Sequence, residues 1–223
     1  MPYQWILFDA DETLFHFDAL AGLKRMFSHH GVTFSDQNYR EYQAVNQPLW
    51  QAYNAGEIDA KTLQSTRFDG WAAQLGTTGH QLNSDFLQAM ADICAPLPGV
   101  RELIDTLAGK ARLGIITNGF TELQSIRLER TGLAEAFELV VISEEVGITK
   151  PHAGIFQHAL EMMGQPDKQQ VLMVGDNLHT DILGGFNAGL NTCWYNPSQQ
   201  EGSAEITPHF EIQHHDQLRQ RFA

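Results

Sequence analysis

A short stretch near the amino terminus decides the fold: residues 5–15, which read WILFDADETLF. It opens with four consecutive apolar residues and then changes abruptly to acidic and hydroxyl side chains. An apolar run without alternation is typical of a strand that is covered on both faces. Because ligands bind beyond the carboxyl ends of parallel strands, Asp9 and Asp11 become the first candidate functional residues.

Four further apolar runs follow later in the chain, and the first three of them lead to chemically capable groups. They are Leu113–Ile116, Leu139–Ile142, Val171–Val174 and Thr192–Tyr195. Between them, capping residues and glycines predict helices over residues 121–132, 153–164 and 180–188. The alternation of strands and helices predicts an α/β fold with a Rossmann-like core, in which right-handed crossovers join the strands of a parallel sheet.

The region from Ala19 to Cys94 has a different pattern. It contains no strand-like run, and its apolar residues recur at helical spacing, with breaks at Gly31, Gly56 and residues 76–79. We therefore expect an inserted, all-helical cap domain over residues 16–95. The core domain would comprise residues 1–15 and 96–223.

Composition excludes several classes of partner. The formal net charge of −13 disfavours binding to nucleic acid and to anionic lipid. No run of 18 apolar residues is present, and the amino terminus does not resemble a secretion signal. Cys94 and Cys193 are expected to be free thiols, which favours a cytoplasmic location. The histidine pairs at 29–30 and 214–215 are expected at the surface.

Polar side chains at the strand ends form the candidate site. They are Asp9, Asp11, Thr117, Asn118, Lys150, Asp176 and Asp181. Crowding four carboxylates at one edge of a sheet raises some pKa values or requires a cation, and hard oxygen ligands suit Mg²⁺. The predicted metal ligands are Asp9, Asp11, Asp176 and Asp181, with Mn²⁺ as a candidate substitute. No His or Cys is placed to favour zinc.

The same groups are suited to phosphoryl transfer to an acidic side chain. Asp9 can attack phosphorus as a nucleophile, and Asp11 can protonate the leaving alkoxide and then activate water. Thr117 and Lys150 can hold the phosphoryl oxygens and balance their charge. Taken singly, each motif also fits a plain turn, a solvated lysine or, for Asp181, a favourable charge at a helix amino terminus.

The order of these motifs is characteristic. Asp-x-Asp-x-Thr at residues 9–13, a strand-end Thr117, Lys150–Pro151 and Gly-Asp-x-x-x-x-Asp at residues 175–181 resemble the haloacid dehalogenase (HAD) superfamily. The resemblance covers nearly the whole chain. It also implies that the helical insertion is a cap domain of the type that follows the first strand.

The resemblance implies a role for each residue of the motifs. Asp9 would be the nucleophile and Asp11 the general acid and base, whereas Thr117 and Lys150 would bind phosphate and balance charge. The metal ligands would be Asp9, the backbone carbonyl of Asp11, and Asp176, supported by Asp181. At Glu12 the chain departs from the glycine of many members.

Three longer strings, at residues 8–15, 128–133 and 142–147, are similar to the bacterial pyrimidine 5′-nucleotidases of this superfamily. This resemblance implies Mg²⁺-dependent hydrolysis of pyrimidine nucleoside monophosphates such as UMP, dUMP and dTMP. The residues expected to contact the substrate are Thr117, Asn118, Lys150, Phe15, Phe17 and Asn46.

The alternatives are a phosphatase for another small metabolite, such as phosphoglycolate or a sugar phosphate, a phosphomutase, a dehalogenase and a non-catalytic binding module. Asp11 argues against a dehalogenase, because a halide leaving group needs no proton. A binding module would be expected to lack at least one of Asp9, Asp11, Lys150 and Asp176, and all are present.

Overall fold

The computed structural model describes residues 3–223. Contacts among the residues divide the chain into two compact units. The core unit comprises the chain up to His16, Ala95–Gly119 and Thr131–Ala223, and the helical unit comprises Phe17–Cys94 and Phe120–Arg130. Within the described residues, no helix is both long and apolar enough to cross a membrane.

The core unit is built on a parallel sheet, as the apolar runs predicted. Its strands are β1 (Trp5–Phe8), β2 (Arg112–Thr117), β3 (Leu139–Ile142), β4 (Val171–Gly175), β5 (Asn191–Tyr195) and β6 (Phe210–Ile212). They lie in the order β3-β2-β1-β4-β5-β6, with every neighbouring pair parallel. Each residue of β1 and β4 is buried, in agreement with a sheet that is covered on both faces. The predicted fold class is therefore confirmed.

Helices connect the strands and make up the insertion. They are α1 (Ala19–His29), α2 (Asp36–Asn54), α3 (Ala60–Thr66), α4 (Asp69–Leu75), α5 (Gly79–Ile93), α6 (Val100–Leu107), α7 (Thr121–Thr131), α8 (Ser143–Val146), α9 (Ala153–Met162), α10 (Leu183–Asn187) and α11 (His215–Phe222).

The register of the central strands aligns the candidate site. Phe8 at the end of β1 lies beside Ile115 on β2 and Val174 on β4. The N–H of Asp9 continues the ladder by donating to the carbonyl of Val174 at 2.9 Å. The residues that follow β1, β2 and β4 consequently emerge at one edge of the sheet.

The helix predicted over residues 180–188 has a different form. A π-helical turn covers Leu178–Ile182, and α10 follows it. The side chain of Asn177 accepts from the N–H groups of His179 and Thr180 at 2.9 and 3.1 Å, which fixes the start of the turn. This local capping was not visible in the apolar periodicity.

The carboxyl-terminal part of the core unit also differs from expectation. The sequence analysis did not predict β6 or α11. His215, expected at the surface, is fully buried at the start of α11. Its Nε2 lies 2.8 Å from the carbonyl of Thr13 and its Nδ1 lies 3.2 Å from that of Pro98, so these two partners explain its burial.

The helical unit contains no strand among its described residues, and its helices begin where the sequence offers caps. Asp18, Ser35, Asp59 and Thr78 each precede a helix and accept a hydrogen bond from the N–H three residues later. Gly76 follows α4 in the left-handed region, at φ 66°, where glycine is favoured.

Aromatic side chains fill the interior of the helical unit. The rings of Phe27 and Phe34 stack at 4.7 Å between centroids, for example. Phe120, which directly precedes α7, and Leu123 in α7 belong to the same buried cluster. The stretch 120–130, which the sequence analysis assigned to the core domain, therefore packs within the helical unit.

A buried guanidinium lies in this aromatic interior. Arg67 is only 5% exposed, and its Nε donates to Oδ1 of Asn83 at 3.0 Å. The guanidinium carbon lies 5.2 Å from the ring centroids of Phe68 and Phe86, and 5.3 Å from that of Phe120. Within residues 3–223, no carboxylate forms an ion pair with Arg67.

Candidate active site

The loop after β1 carries the first acidic residues in a tight backbone turn. The N–H groups of Leu14 and Phe15 both donate to the carbonyl of Ala10, at 3.0 and 2.9 Å. Glu12 adopts a left-handed backbone conformation, at φ 56°. This conformation explains why glycine is common at that position in the superfamily that the sequence resembles.

Thr13 connects this loop to the end of β4. Its hydroxyl oxygen accepts from the N–H of Asp176 at 3.0 Å and lies 3.4 Å from Oδ1 of the same residue. The sequence analysis quoted Thr13 as part of the motif without giving it a role. The structure shows that it holds two strand ends together.

Lys150 is the centre of a buried ion-pair network. Its ammonium donates to Oδ1 of Asp9 at 2.5 Å, to Oδ1 of Asp181 at 2.7 Å and to the carbonyl of Ile116 at 2.8 Å. These three acceptors use all three donors of the ammonium group. The lysine is 1% exposed, so its position is fixed by these contacts.

The side chain of Asn118 positions this lysine. Its Nδ2 donates to the carbonyl of Lys150 at 2.9 Å, and its Oδ1 accepts from the N–H of Lys150 at 2.8 Å. Thr117, the residue before Asn118, is buried, and its hydroxyl oxygen accepts from the N–H of Gly119 at 3.0 Å. The amide of Asn118, expected to contact substrate, is thus engaged with the protein backbone.

Asp181 is held from several sides. Besides Lys150, it accepts from the N–H of Asn177 at 3.1 Å and from the hydroxyl of Thr180 at 3.2 Å. A Cβ at Gly175 would lie 2.2 Å from Oδ2 of Asp181, so glycine is required for this close approach. These contacts support an orienting role for Asp181.

The electrostatics of the group reveal an excess of negative charge. Burial raises the pKa of Asp9 to about 8, opposed by Lys150 and reinforced by the neighbouring carboxylates. Burial and the charge of Asp181 raise the pKa of Asp176 to about 7. Burial alone would lower the pKa of Lys150, but Asp181 and Asp9 outweigh it and raise that pKa above its ordinary value.

The donor set fits a hard divalent cation. Carboxylate oxygens of Asp9, Asp176 and Asp181 lie within 4.8 Å of one another. The single charge of Lys150 leaves part of their negative charge uncompensated. Oxygen donors with excess negative charge suit Mg²⁺ or a similar ion and offer no soft ligand.

Asp11 and Phe15 lie on the same loop as the nucleophile candidate but in different settings. Asp11 is partly exposed, and its charge contributes to the raised pKa of Asp9. Phe15 is completely buried, so its ring presents no free face to a ligand.

Two of the expected substrate contacts belong to the helical unit. Phe17 packs against the aromatic interior of that unit. Asn46 accepts from the hydroxyl of Tyr42 at 3.2 Å through its Oδ1. The core unit therefore brings together Asp9, Asp176, Asp181 and Lys150, with Thr117 and Asn118 adjacent, whereas Phe17 and Asn46 are part of the other unit.

Known proteins resemble this chain over its full length. It is 51% identical over 220 residues to pyrimidine 5′-nucleotidase YjjG of Escherichia coli, which covers 99% of this chain and 98% of that protein. It is 33% identical to pyrimidine 5′-nucleotidase PynA of Streptococcus pneumoniae, over 98% of this chain and 94% of the relative.

Solved structures share the architecture. The crystal structure of YfnB from Bacillus subtilis bound to magnesium superposes with a TM-score of 0.83 at 29% identity, covering 100% of this chain and 99% of YfnB. L-2-haloacid dehalogenase from Xanthobacter autotrophicus has a TM-score of 0.73 at 18% identity, over 98% and 97% of the two chains, and shares the fold alone.

A sequence profile completes the comparison. The profile described as haloacid dehalogenase-like hydrolase matches residues 3–189, which include every acidic residue of the site and Lys150. With this match and the full-length similarity to YjjG, the chain belongs to the haloacid dehalogenase-like hydrolases and is an enzyme of that family.

Proposed function

We propose that this enzyme hydrolyses pyrimidine nucleoside 5′-monophosphates, such as UMP, dUMP and dTMP, to nucleoside and phosphate. The observation that carries the reaction class is the buried contact of Asp9 with Lys150 beside Asp176 and Asp181. Support for the substrate class comes from two full-length relatives that are both named pyrimidine 5′-nucleotidases.

In the proposed reaction, Oδ of Asp9 attacks phosphorus and forms an aspartyl-phosphate, while Asp11 protonates the leaving 5′-oxygen of the nucleoside. Asp11 then removes a proton from water, whose attack on phosphorus releases phosphate and restores Asp9. Lys150 and Thr117 stabilise charge on the phosphoryl oxygens. Lys150 is already oriented for this role by Asn118.

The residues that would hold Mg²⁺ are Asp9, Asp176 and the backbone carbonyl of Asp11, with Asp181 supporting them. When bound, the ion supplies positive charge that offsets the carboxylates and the phosphate. A magnesium-bound relative of the same fold favours this ion. Mn²⁺ is a candidate substitute, because it accepts similar oxygen ligands.

Selectivity for the pyrimidine is assigned to residues outside the phosphoryl-binding group, because Asp9 and Lys150 recognise only the phosphate. Phe17 is half-buried and offers part of an apolar face. The amide of Asn46 contacts Tyr42 and Gln43 within the helical unit, and reading a base edge would require it to exchange these partners for the base. A site matched to one small ring rejects a purine sterically yet tolerates a methyl group, which is worth only about 1–3 kcal/mol.

The test is a comparison of kcat/KM for UMP, dUMP, dTMP, AMP, GMP, phosphoglycolate and glucose phosphates, measured by phosphate release with Mg²⁺ and with chelator. We expect the three pyrimidine nucleotides to lead and chelator to abolish turnover. If a purine nucleotide or a sugar phosphate leads, the substrate class is wrong while the phosphatase assignment stands. Transfer of phosphate to a second sugar hydroxyl without release would indicate a mutase.

We also assign the enzyme to the cytoplasm, with a small phosphorylated metabolite as its partner and no protein partner evident. Cys94 and Cys193 form no disulfide bond in the part of the chain that the structure describes, which is typical of a reducing compartment. Fractionation of cells that express the protein would test this location.

A further inference from the structure

Trp194 lies next to the candidate metal site without entering it. On β5, it is the register partner of Gly175, the last residue of β4. Its indole Nε1 donates to the backbone carbonyl of Asp176 at 2.8 Å, and the ring is only 3% exposed. Since Thr13 accepts from the N–H of Asp176 at 3.0 Å, the backbone of this aspartate is held on both sides.

The ring of Trp194 also packs against the turn that carries the second aspartate. It forms an apolar cluster with Ile182 and Ile206, and Leu178 and Leu183 pack at its edge. Leu178 and Ile182 are the two ends of the π-helical turn that contains Asp181. One side chain thus supports the backbone around both Asp176 and Asp181.

From these contacts we infer that Trp194 is a positioning residue that sets the affinity of the site for its divalent cation. This inference rests on the proposed Mg²⁺ dependence and concerns how the chain achieves it. Mg²⁺ demands a nearly ideal arrangement of its oxygen ligands. Groups that orient metal ligands through hydrogen bonds typically change metal affinity by about 10–100-fold when they are removed.

The decisive variant is Trp194→Phe, which keeps an aromatic ring and removes the N–H donor. We expect the dissociation constant for Mg²⁺, measured by isothermal titration calorimetry on chelator-treated protein without substrate, to rise by about 10–100-fold. At saturating Mg²⁺, we expect the KM for UMP to stay within about twofold of wild type, because the indole donates to the carbonyl of Asp176, whereas Lys150 and Thr117 have other hydrogen-bond partners.

Trp5→Phe is the matched control. Trp5 is equally buried in the same sheet, but at the start of β1, where it packs against the guanidinium of Arg112 at 4.1 Å. The same chemical change there removes no support from Asp176. We expect the affinity for Mg²⁺ to remain at the wild-type value, even if the melting temperature falls.

Two results would overturn the inference: an unchanged Mg²⁺ affinity in Trp194→Phe, or an equal loss of affinity in both variants. Should Trp194→Phe fail to fold by circular dichroism, 3-benzothienylalanine at position 194 preserves the shape without the donor and decides the same question. A wild-type protein that binds Mg²⁺ but hydrolyses no nucleotide would end the proposed function and leave the affinity comparison intact.

Discussion

Lys150 in the core unit and Arg67 in the helical unit are both buried cations, yet their surroundings differ. Lys150 contacts the carboxylates of Asp9 and Asp181, whereas Arg67 is enclosed by aromatic rings and the amide of Asn83. The lysine belongs to a network that still has excess negative charge. The arginine satisfies its interactions without an anion. Burial of charge therefore points to a candidate functional site where uncompensated groups surround it, as they do at Lys150.

The largest expected effect follows from a change to the ion-pair network of Lys150 in the core unit. Asp9→Asn removes the carboxylate that we propose as the nucleophile, and we expect phosphate release to fall by at least about 10³-fold because the proposed covalent route is then closed. Folding survives, since one of the crowded carboxylates is lost. The same change at the half-exposed Asp216 is the control and is expected to leave the rate unchanged. A tenth of wild-type activity in Asp9→Asn would exclude it as nucleophile.

Removing the cation of the core unit comes next. Lys150→Met leaves Asp9 and Asp181 buried without their shared partner, which typically costs about 3–5 kcal/mol of unfolding free energy. Lys110→Met, which removes an ammonium that donates to the carbonyl of Phe222 at 2.9 Å and to no carboxylate, is the matched control. Urea unfolding of both variants without metal would measure the difference.

This loss also has a predicted pH dependence. The pKa of Asp9 already lies above its ordinary value, at about 8, and removal of Lys150 takes away the charge that opposes this shift. A raised pKa means that the folded protein binds more protons than the unfolded chain, so stability falls as pH rises toward 8. We expect Lys150→Met to be less destabilising at pH 5 than at pH 8. A constant difference would contradict the charge explanation.

A smaller effect is expected for the cation of the helical unit. Arg67→Met removes a donor to Asn83 and the contacts with three rings, at a cost of about 1–3 kcal/mol. No carboxylate is left behind, so this loss is expected to be independent of pH between 5 and 8. Arg67→Lys keeps the charge and tests whether the planar guanidinium is needed. A loss that grows with pH would show that Arg67 has an acidic partner.

The smallest effect is expected for Glu12, in the loop that follows Asp9. Glu12 adopts φ 56°, and its charge contributes to the raised pKa of Asp176. Glu12→Gly removes the unfavourable backbone conformation and the charge near Asp176. We expect a gain of up to about 1 kcal/mol in unfolding free energy, partly offset by the larger conformational entropy of glycine in the unfolded chain. Glu12→Ala removes the charge but keeps the strain. It is expected to give less than half that gain.

The group of residues around Lys150 could be predicted from the sequence, whereas the surroundings of Arg67 could not. Apolar runs locate strands, and the geometry of a parallel sheet turns the order of Asp9, Lys150 and Asp176 along the chain into proximity. No comparable rule links Arg67 to Asn83, because their contact depends on how helices pack. The burial of His215 escaped prediction for the same reason, since its partners Thr13 and Pro98 are about 200 and 117 residues away.

The direction of individual side chains was the other limit. The amide of Asn118 was expected to contact substrate, but it forms two hydrogen bonds with the backbone of Lys150, which follows 32 residues later. Phe15, expected at a crevice, is completely buried. Asn118 directly follows β2, and Phe15 lies in the loop after β1, as the sequence predicted. The direction of the side chain depends on contacts that only the folded chain contains.

The composition of the helical unit has a consequence for protein engineering. Residues 17–94 form a continuous segment, but the interior of the unit also uses Phe120 and Leu123 from a second segment. Arg130, at the end of that segment, pairs with Asp92, and Glu122 accepts from the hydroxyl of Ser84 at 2.6 Å. An excised or transplanted fragment of residues 17–94 would therefore expose an unfilled apolar surface. A cap exchanged between relatives must include the segment 120–130 of its donor.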